Sequence, residues 1–322
     1  MHDKILVALC LASWGLALAQ PVAGQSYPGK PVRAIVSSTA GGPLDIFTRL
    51  VTERMSERLK QPFVIVNSAG AGGNIAASAV AKAPADGLTV LFSLDTTFTV
   101  NPSMYSKIPF DPEKDFAPVS VLATFGQMLA VHPSLPVASV RDLATLSRER
   151  SLNYASAGSG FPSHLTFAYL QSATGIRATH IPYKGNPPML LALLSGEVHA
   201  AMSISTTIIP QAKAGKLKML AFSDSKRSLV APEVPTVAES GYPGFEATFA
   251  YVLLAPAGTS ESIVSTLHQE AARAVTSADV RERLAKIDVV SVGQPPARSA
   301  AWLRAARQKW GPLVQQLNIR AE

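Results

Sequence analysis

From residue 32 onward the chain alternates short apolar runs with longer amphipathic ones. Residues 32–36, 63–66, 88–92 and 127–131 are compact apolar runs bounded by Gly, Pro, Asn or Ser, the pattern of buried strands. After Asp45, which is expected to open a helix, Ile46, Phe47, Leu50, Val51, Met55 and Leu59 recur at helical spacing with Arg, Glu and Lys on the other side. The pattern continues with an Ala-rich helix at 75–82, a Pro-rich loop at 101–115, an extended run at 116–123, and a helix at 140–150 that Ser139 can cap. Strands are expected at 179–183, 198–202 (ending at Ser203) and 217–222, with helices at 188–195 and 208–214 between them. Such alternation predicts an α/β protein with mostly parallel sheet covered on both faces.

Beyond a Pro/Gly-rich connection at 231–244, residues 245–255 read as a strand pair or one long extended segment, and 261–276, 279–286 and 297–317 as helices. Two half-sheets linked by extended segments near 119–124 and 246–251 predict two α/β domains with a cleft between them. Domain 1 is then discontinuous, 25–123 with 247–322, and domain 2 is 124–246.

The first 24 residues have Lys4, an apolar run over 5–19 and small residues at its end, which together read as a cleaved secretory signal. The run is shorter than the roughly 20 residues of a spanning helix, and cleavage after Ala19 or after Gly24 fits. Cys10, the only cysteine, leaves with the signal, so the mature chain has no thiol chemistry. The net charge of +7 is spread along helices among Glu residues, which suits anionic ligands in general and nucleic acid poorly.

Two turns carry the candidate chemistry. In 153–165, NYASAGSGFPSHL, a strand runs into Ser156, Ala157, Gly158, Ser159 and Gly160, followed by Phe161, Pro162 and a helix. Hydroxyls, small residues and open N–H groups at a helix start form a site for a carboxylate, although an ordinary Ser/Gly connection has the same look. The turn after the first strand repeats it, with Ser37, Ser38, Thr39, Ala40, Gly41, Gly42 and Pro43, while Asp45 caps the helix or fixes the loop. Ser93 and Thr97 follow another strand and stand at the same level as Ser37, the carboxyl ends of strands being where open α/β sheets bind ligands.

Other chemistries fit less well. G-A-G-G at 70–73 lacks dinucleotide-fingerprint spacing, and Pro31 replaces the Ser or Thr of a phosphate loop. The six histidines form no i, i+3 or i, i+4 pair, so no metal or other cofactor is expected. Ser159 with His164 as base is the catalytic alternative, a secreted serine hydrolase, but Ala157 breaks the G-x-S-x-G elbow.

YPGKPVRAIV, AGGPLDIFTRL, NYASAGSGFPSHL, HIPYKG, AGKLKMLAFSDSKRS and VPTVAESGYPGFEA, in this order, resemble the Bug-type receptors of tripartite tricarboxylate transporters over essentially the whole mature chain. The resemblance implies a type II periplasmic-binding-protein fold. It also implies a non-enzymatic monomer that closes on a small carboxylate and delivers it to the transporter's membrane permease, with feeding a signalling partner as a variant role. It carries ligand contacts onto Ser37 to Gly42 and onto Ser156, Ser159, Gly160, Phe161 and His164, with Ser93, Thr97 and Ser203 completing the wall. Ser38 stands where the family often has an aromatic, Phe161 where it often has Thr, and Ser203 where it often has Asp. Without that Asp a ligand ammonium has no partner, which points to an amine-free dicarboxylate, aromatic ones included.

Overall fold

The computed structural model describes residues 27–321, so the expected signal segment and its cleavage sites lie outside the described residues. Two sheets organise the described residues. In the six-stranded sheet the order is β11 (Val290–Ser291), β4 (Phe116–Phe125), β10 (Phe249–Pro256), β3 (Thr89–Leu94), β1 (Val32–Val36) and β2 (Phe63–Asn67). The five-stranded sheet runs β7 (Thr179–Pro182), β6 (Asn153–Ser156), β8 (Ala200–Ser203), β5 (Met128–Val131) and β9 (Lys218–Phe222).

Among the described residues eleven helices surround them: α1 (Pro43–Leu59), α2 (Asn74–Ala81), α3 (Thr96–Thr99), α4 (Asn101–Met104), α5 (Val140–Glu149), α6 (Pro162–Thr174), α7 (Asn186–Ser195), α8 (Ser205–Lys213), α9 (Glu261–Thr276), α10 (Ala278–Ala285) and α11 (Pro296–Gln316). Among the described residues no helix is long and apolar enough to cross a membrane.

The expectation of mostly parallel pairing needs correction. β1 pairs parallel with β2 and β3, and β6 pairs parallel with β7 and β8. β10, however, runs antiparallel to both β3 and β4, and β5 antiparallel to both β8 and β9. β4 and β5 are separated only by Gly126 and Gln127, and β10 follows the long return from β9. Strands that enter a sheet without a helical crossover are free to run against their neighbours.

Three local readings also shift. Residues 101–115 are not all loop, since α4 occupies Asn101–Met104 behind the single turn of α3. The segment at 245–255 forms one strand, β10, every residue of which is buried. Helix α1 begins at Pro43 with Gly42 as N-cap, and it buries Leu44, Phe47, Val51 and Met55 while Ile46 is 57% exposed. Pro at the first helical position costs no hydrogen bond, which starts the helix two residues early. Ser139 does cap α5, its Oγ accepting the Asp142 N–H at 3.1 Å.

The two sheets share one arrangement that positions the candidate site. In each, a central strand (β1 or β6) leads through a helix to one neighbour and is flanked on its other side by the strand after that. The strand order therefore reverses at the carboxyl ends of β1 and β6, where an α/β sheet opens a crevice. The turns 37–42 and 157–161 leave from these two ends.

Candidate functional site

In the turn after β1, Asp45 works from inside the loop. Its Oδ2 accepts the Gly41 N–H at 2.8 Å and faces the Arg49 guanidinium at 3.0 Å, and its Oδ1 accepts from Asn67 Nδ2 at 2.9 Å. The hydrogen bond from Arg49, with those from Gly41 and Asn67, holds the carboxyl down to about 2 despite its burial. Asn67 Nδ2 also reaches Ser38 O at 3.2 Å, and the Gly42 N–H reaches Thr39 O at 3.3 Å. Of the two roles open to Asp45, fixing the loop is the one observed. Thr39 and Ala40 are exposed on the outside of the turn, while Ser37 and Ser38 are half-buried.

Behind the turn runs a chain of hydroxyls. Ser37 Oγ lies 2.9 Å from Ser93 Oγ, Ser93 Oγ 3.1 Å from Thr97 Oγ1, and Thr97 Oγ1 donates to Gly72 O at 2.9 Å. Asn101 Nδ2 donates to the same carbonyl at 3.0 Å and to Asn74 Oδ1 at 2.7 Å. Gly73, at φ +94°, lets Thr97 and Ser37 close over it, for a Cβ there would stand 2.5 Å from Thr97 Oγ1. Ser93 and Thr97 are buried, so Ser37 is the member of the chain that the crevice reaches.

The turn after β6 spends more of its polar groups on itself than the sequence suggests. Ser156 is fully buried; its Oγ accepts the Gly158 N–H at 3.2 Å and lies 3.1 Å from Gly158 O and 2.6 Å from His180 Nε2. The Ala157 N–H goes to Ser163 Oγ at 3.0 Å, the Gly160 N–H to His164 Nδ1 at 3.1 Å, and the Phe161 N–H to Gly158 O at 3.3 Å. Buried N–H groups need partners wherever the chain can supply them. What stays open is the helix start. The first intrahelical donors are Leu165 in α6 and Ile46 in α1, so the N–H groups of Ser163 and His164, and of Leu44 and Asp45, precede the ladders. Both helices bring the positive ends of their dipoles to the two turns.

His164 lies in a column of rings. It stacks on His180 at 3.8 Å and 11°, and Tyr154 stacks on Phe167 at 3.9 Å beside them. Burial, with the neighbouring His180, pushes His164 down to about 3. An imidazole so weakly basic, with Nδ1 already accepting from Gly160, is ill-suited to activate Ser159, which weakens the hydrolase alternative.

Phe161 projects from the start of α6, 46% exposed, with its ring over Gly158. Ser203, at the end of β8, is fully buried, and its Oγ has no partner among the described residues. Gly160 is buried against Met104 from α4, so the turn after β6 touches the half of the chain that carries Ser37. His180 and Met104 were not candidates from the sequence. HIPYKG places His180 in a strand but gives no sign of its serine partner, and nothing in the spacing marks Met104.

Among the described residues no group of three His, Cys, Asp or Glu could hold a metal. An open cavity of about 530 Å³ lies at the opposite edge of the five-stranded sheet, beside β9, lined by Arg141, Leu217, Met219 and Glu239 among others. It lacks the paired strand ends of the crevice, so chemistry favours the two turns as the ligand site.

Comparison with known proteins agrees with this geometry. Residues 47–319 match the tripartite tricarboxylate transporter family receptor, TctC. Protein BugT of Bordetella pertussis is 32% identical over 314 residues, covering 97% of this chain and 96% of that one. A UPF0065 protein of the gbd 5′ region of Cupriavidus necator is 35% identical, covering 97% and 95%. Among solved structures, Rpa4515 of R. palustris with adipate superposes with TM-score 0.81 at 35% identity, covering 91% of this chain and 99% of that one. MatC of Rhodopseudomonas palustris with bound malate gives 0.78 at 32%, covering 89% and 100%. The chain thus belongs to the tripartite tricarboxylate transporter receptor family, whose members are periplasmic solute-binding proteins, and it shares their two-sheet α/β fold.

Proposed function

We propose that this protein captures a small organic dicarboxylate without an amine, aromatic ones included, and hands it to the permease of a tripartite tricarboxylate transporter. The observation that carries the reading is the placing of two like turns at equivalent points, the carboxyl ends of β1 and β6, each leading into a helix whose first N–H groups are open. One carboxylate lies at the start of α1 and the other at the start of α6. Ser37, Ser38, Thr39, Ala40 and Gly41 shape the first pocket, and Ser156, Ser159, Gly160, Phe161 and His164 the second, with Ser93, Thr97 and Ser203 behind. Neutral dipoles hold the ligand, so release stays easy.

On this reading the chain acts as two domains, 25–123 with 247–322 and 124–246, that close by bending at the two connections between them. The mature protein works as a monomer in the periplasm after loss of residues 1–24. The adipate and malate bound by similar proteins support a carboxylate ligand. The absence of an acidic group at Ser203 supports the exclusion of amino acids.

A thermal-shift screen of the mature protein tests this, because a ligand that binds only the folded state raises its melting temperature. The panel holds mono-, di- and tricarboxylates, aromatic dicarboxylates and acidic amino acids. Shifts confined to amine-free dicarboxylates are the expected result. Shifts with aspartate or glutamate alone would overturn the reading of Ser203, and no shift with any carboxylate would overturn the carboxylate reading.

A further inference from the structure

The hydroxyl chain behind the first turn has a direction, and the direction follows from counting protons. Gly72 O can only accept, so the single proton of Thr97 Oγ1 is committed to it. Thr97 therefore accepts from Ser93, which commits the proton of Ser93. Ser93 can then only accept from Ser37, 2.9 Å away. Every proton in the chain points inward, and the one hydroxyl the crevice reaches, Ser37, turns its lone pairs outward.

Reversing the chain is unfavourable. If Ser37 gave its proton to a ligand, its oxygen and that of Ser93 would face each other at 2.9 Å with no hydrogen between them. Ser93 and Thr97 are buried, so no water in bulk can step in. Ser37 is thus a poor partner for a carboxylate oxygen and a good one for a hydrogen-bond donor.

We infer that the ligand presents a hydroxyl to Ser37, so that the protein selects hydroxy-dicarboxylates over their unsubstituted counterparts, with Thr97 as the residue that sets the polarity. This rests on the receptor reading above and narrows it. A dicarboxylate then uses three contacts: a carboxylate at each helix start, and a hydroxyl donating to Ser37. Thr97 acts through Ser93 and Ser37 and is a positioning residue.

Calorimetric titration with matched pairs, malate against succinate and 2-hydroxyglutarate against glutarate, tests it. The hydroxy member of at least one pair should bind roughly tenfold more tightly, the worth of one well-placed hydrogen bond. Thr97→Val keeps the shape but ends the chain at Ser93, whose proton can then turn to Ser37 and free that hydroxyl to donate outward. In Thr97→Val the preference should collapse toward one, chiefly through tighter binding of the unsubstituted acid, and Thr97→Ser should restore it. A purely structural role for Thr97 would weaken both members alike and leave their ratio unmoved, which would overturn the inference. Equal binding of both members by the unaltered protein would overturn it too, without need of a variant, while leaving the receptor reading intact. Binding of no carboxylate would instead remove the carboxylate reading and the inference with it.

Discussion

The backbone of Gly160 rests on the thioether of Met104: a Cβ placed on Gly160 would stand 2.2 Å from Sδ. Gly160 follows β6 and Met104 ends α4, so this contact joins the two sheets' halves beside the candidate ligand turns. Gly160→Ala adds a methyl there and also forces a non-glycine residue to φ +75°, a strain of about 1–2 kcal/mol. On the domain closure proposed above, Met104 has room to swing aside only when the halves part. Affinity for the ligand should fall by about tenfold or more in Gly160→Ala, and Met104→Ala in the same background should recover part of it, as read by calorimetry. A variant whose affinity matches the unaltered protein would show that the halves do not need this contact.

Asp288 makes a second bridge, and a buried one. From the turn before β11 it accepts from Ser228 Oγ at 2.6 Å, the Leu229 N–H at 2.8 Å, and Ser205 Oγ at the first turn of α8. Its φ of +61° is one that Asp and Asn tolerate better than most residues. Asp288→Ala leaves three donors without an acceptor and should cost about 3 kcal/mol in urea unfolding. Asp288→Asn keeps the backbone and one acceptor oxygen, and should cost about half as much. Equal stability of all three proteins would mean that water replaces the carboxylate.

How much of this was legible in the sequence depended on the range of the interaction. Strands β1, β2 and β9 and helices α5 and α9 follow from apolar period and end residues, which are local. The direction of β10 and β5 is set by where the chain re-enters a sheet, which no local pattern records. The two turns were recognisable from their Ser/Gly composition and the proline after each. Yet composition does not say which N–H groups the turn spends on itself, because Ser163, His164 and Asp45 become acceptors only once helix and loop are folded together. His180 and Asp288 were invisible for the same reason: their partners, Ser156 and Ser228, lie 24 and 60 residues away.

Asp95 should make stability fall as pH rises. Its carboxyl is fully buried beside Trp302, whose Nε1 donates to Oδ2 at 3.2 Å, and Oδ1 has no partner among the described residues. Burial pushes it up to about 6, against roughly 3.9 in an unfolded chain. The folded state therefore holds this proton more tightly, and its advantage is full below pH ~4 and lost as pH rises through ~6. The two-unit difference corresponds to about 3 kcal/mol. The difference in unfolding free energy between the unaltered protein and Asp95→Asn, read in urea at half-unit intervals across this window, should shrink as pH rises. An identical slope in both proteins would assign the pH dependence to another group.

His164 works in the opposite sense over an overlapping window. Its folded form stays neutral down to about 3 because it is buried and stacked on His180, while in the unfolded chain it takes a proton near 6.5. The stability it preserves is intact above pH ~6.5 and is drawn down steadily below it, by about 2 kcal/mol at pH 5. Between pH ~6 and ~5 the gain from Asp95 and the loss from His164 offset each other, so the unaltered protein can look insensitive to pH there. Single variants separate them. His164→Asn can keep an acceptor for the Gly160 N–H through its Oδ1 but has no titratable ring, so on acidification from pH 6.5 to 5 it should lose less stability than the unaltered protein, by about 2 kcal/mol at pH 5. If His164→Asn instead loses as much stability on acidification as the unaltered protein does, the imidazole does not stay neutral in the folded protein and the neutral stack with His180 is wrong.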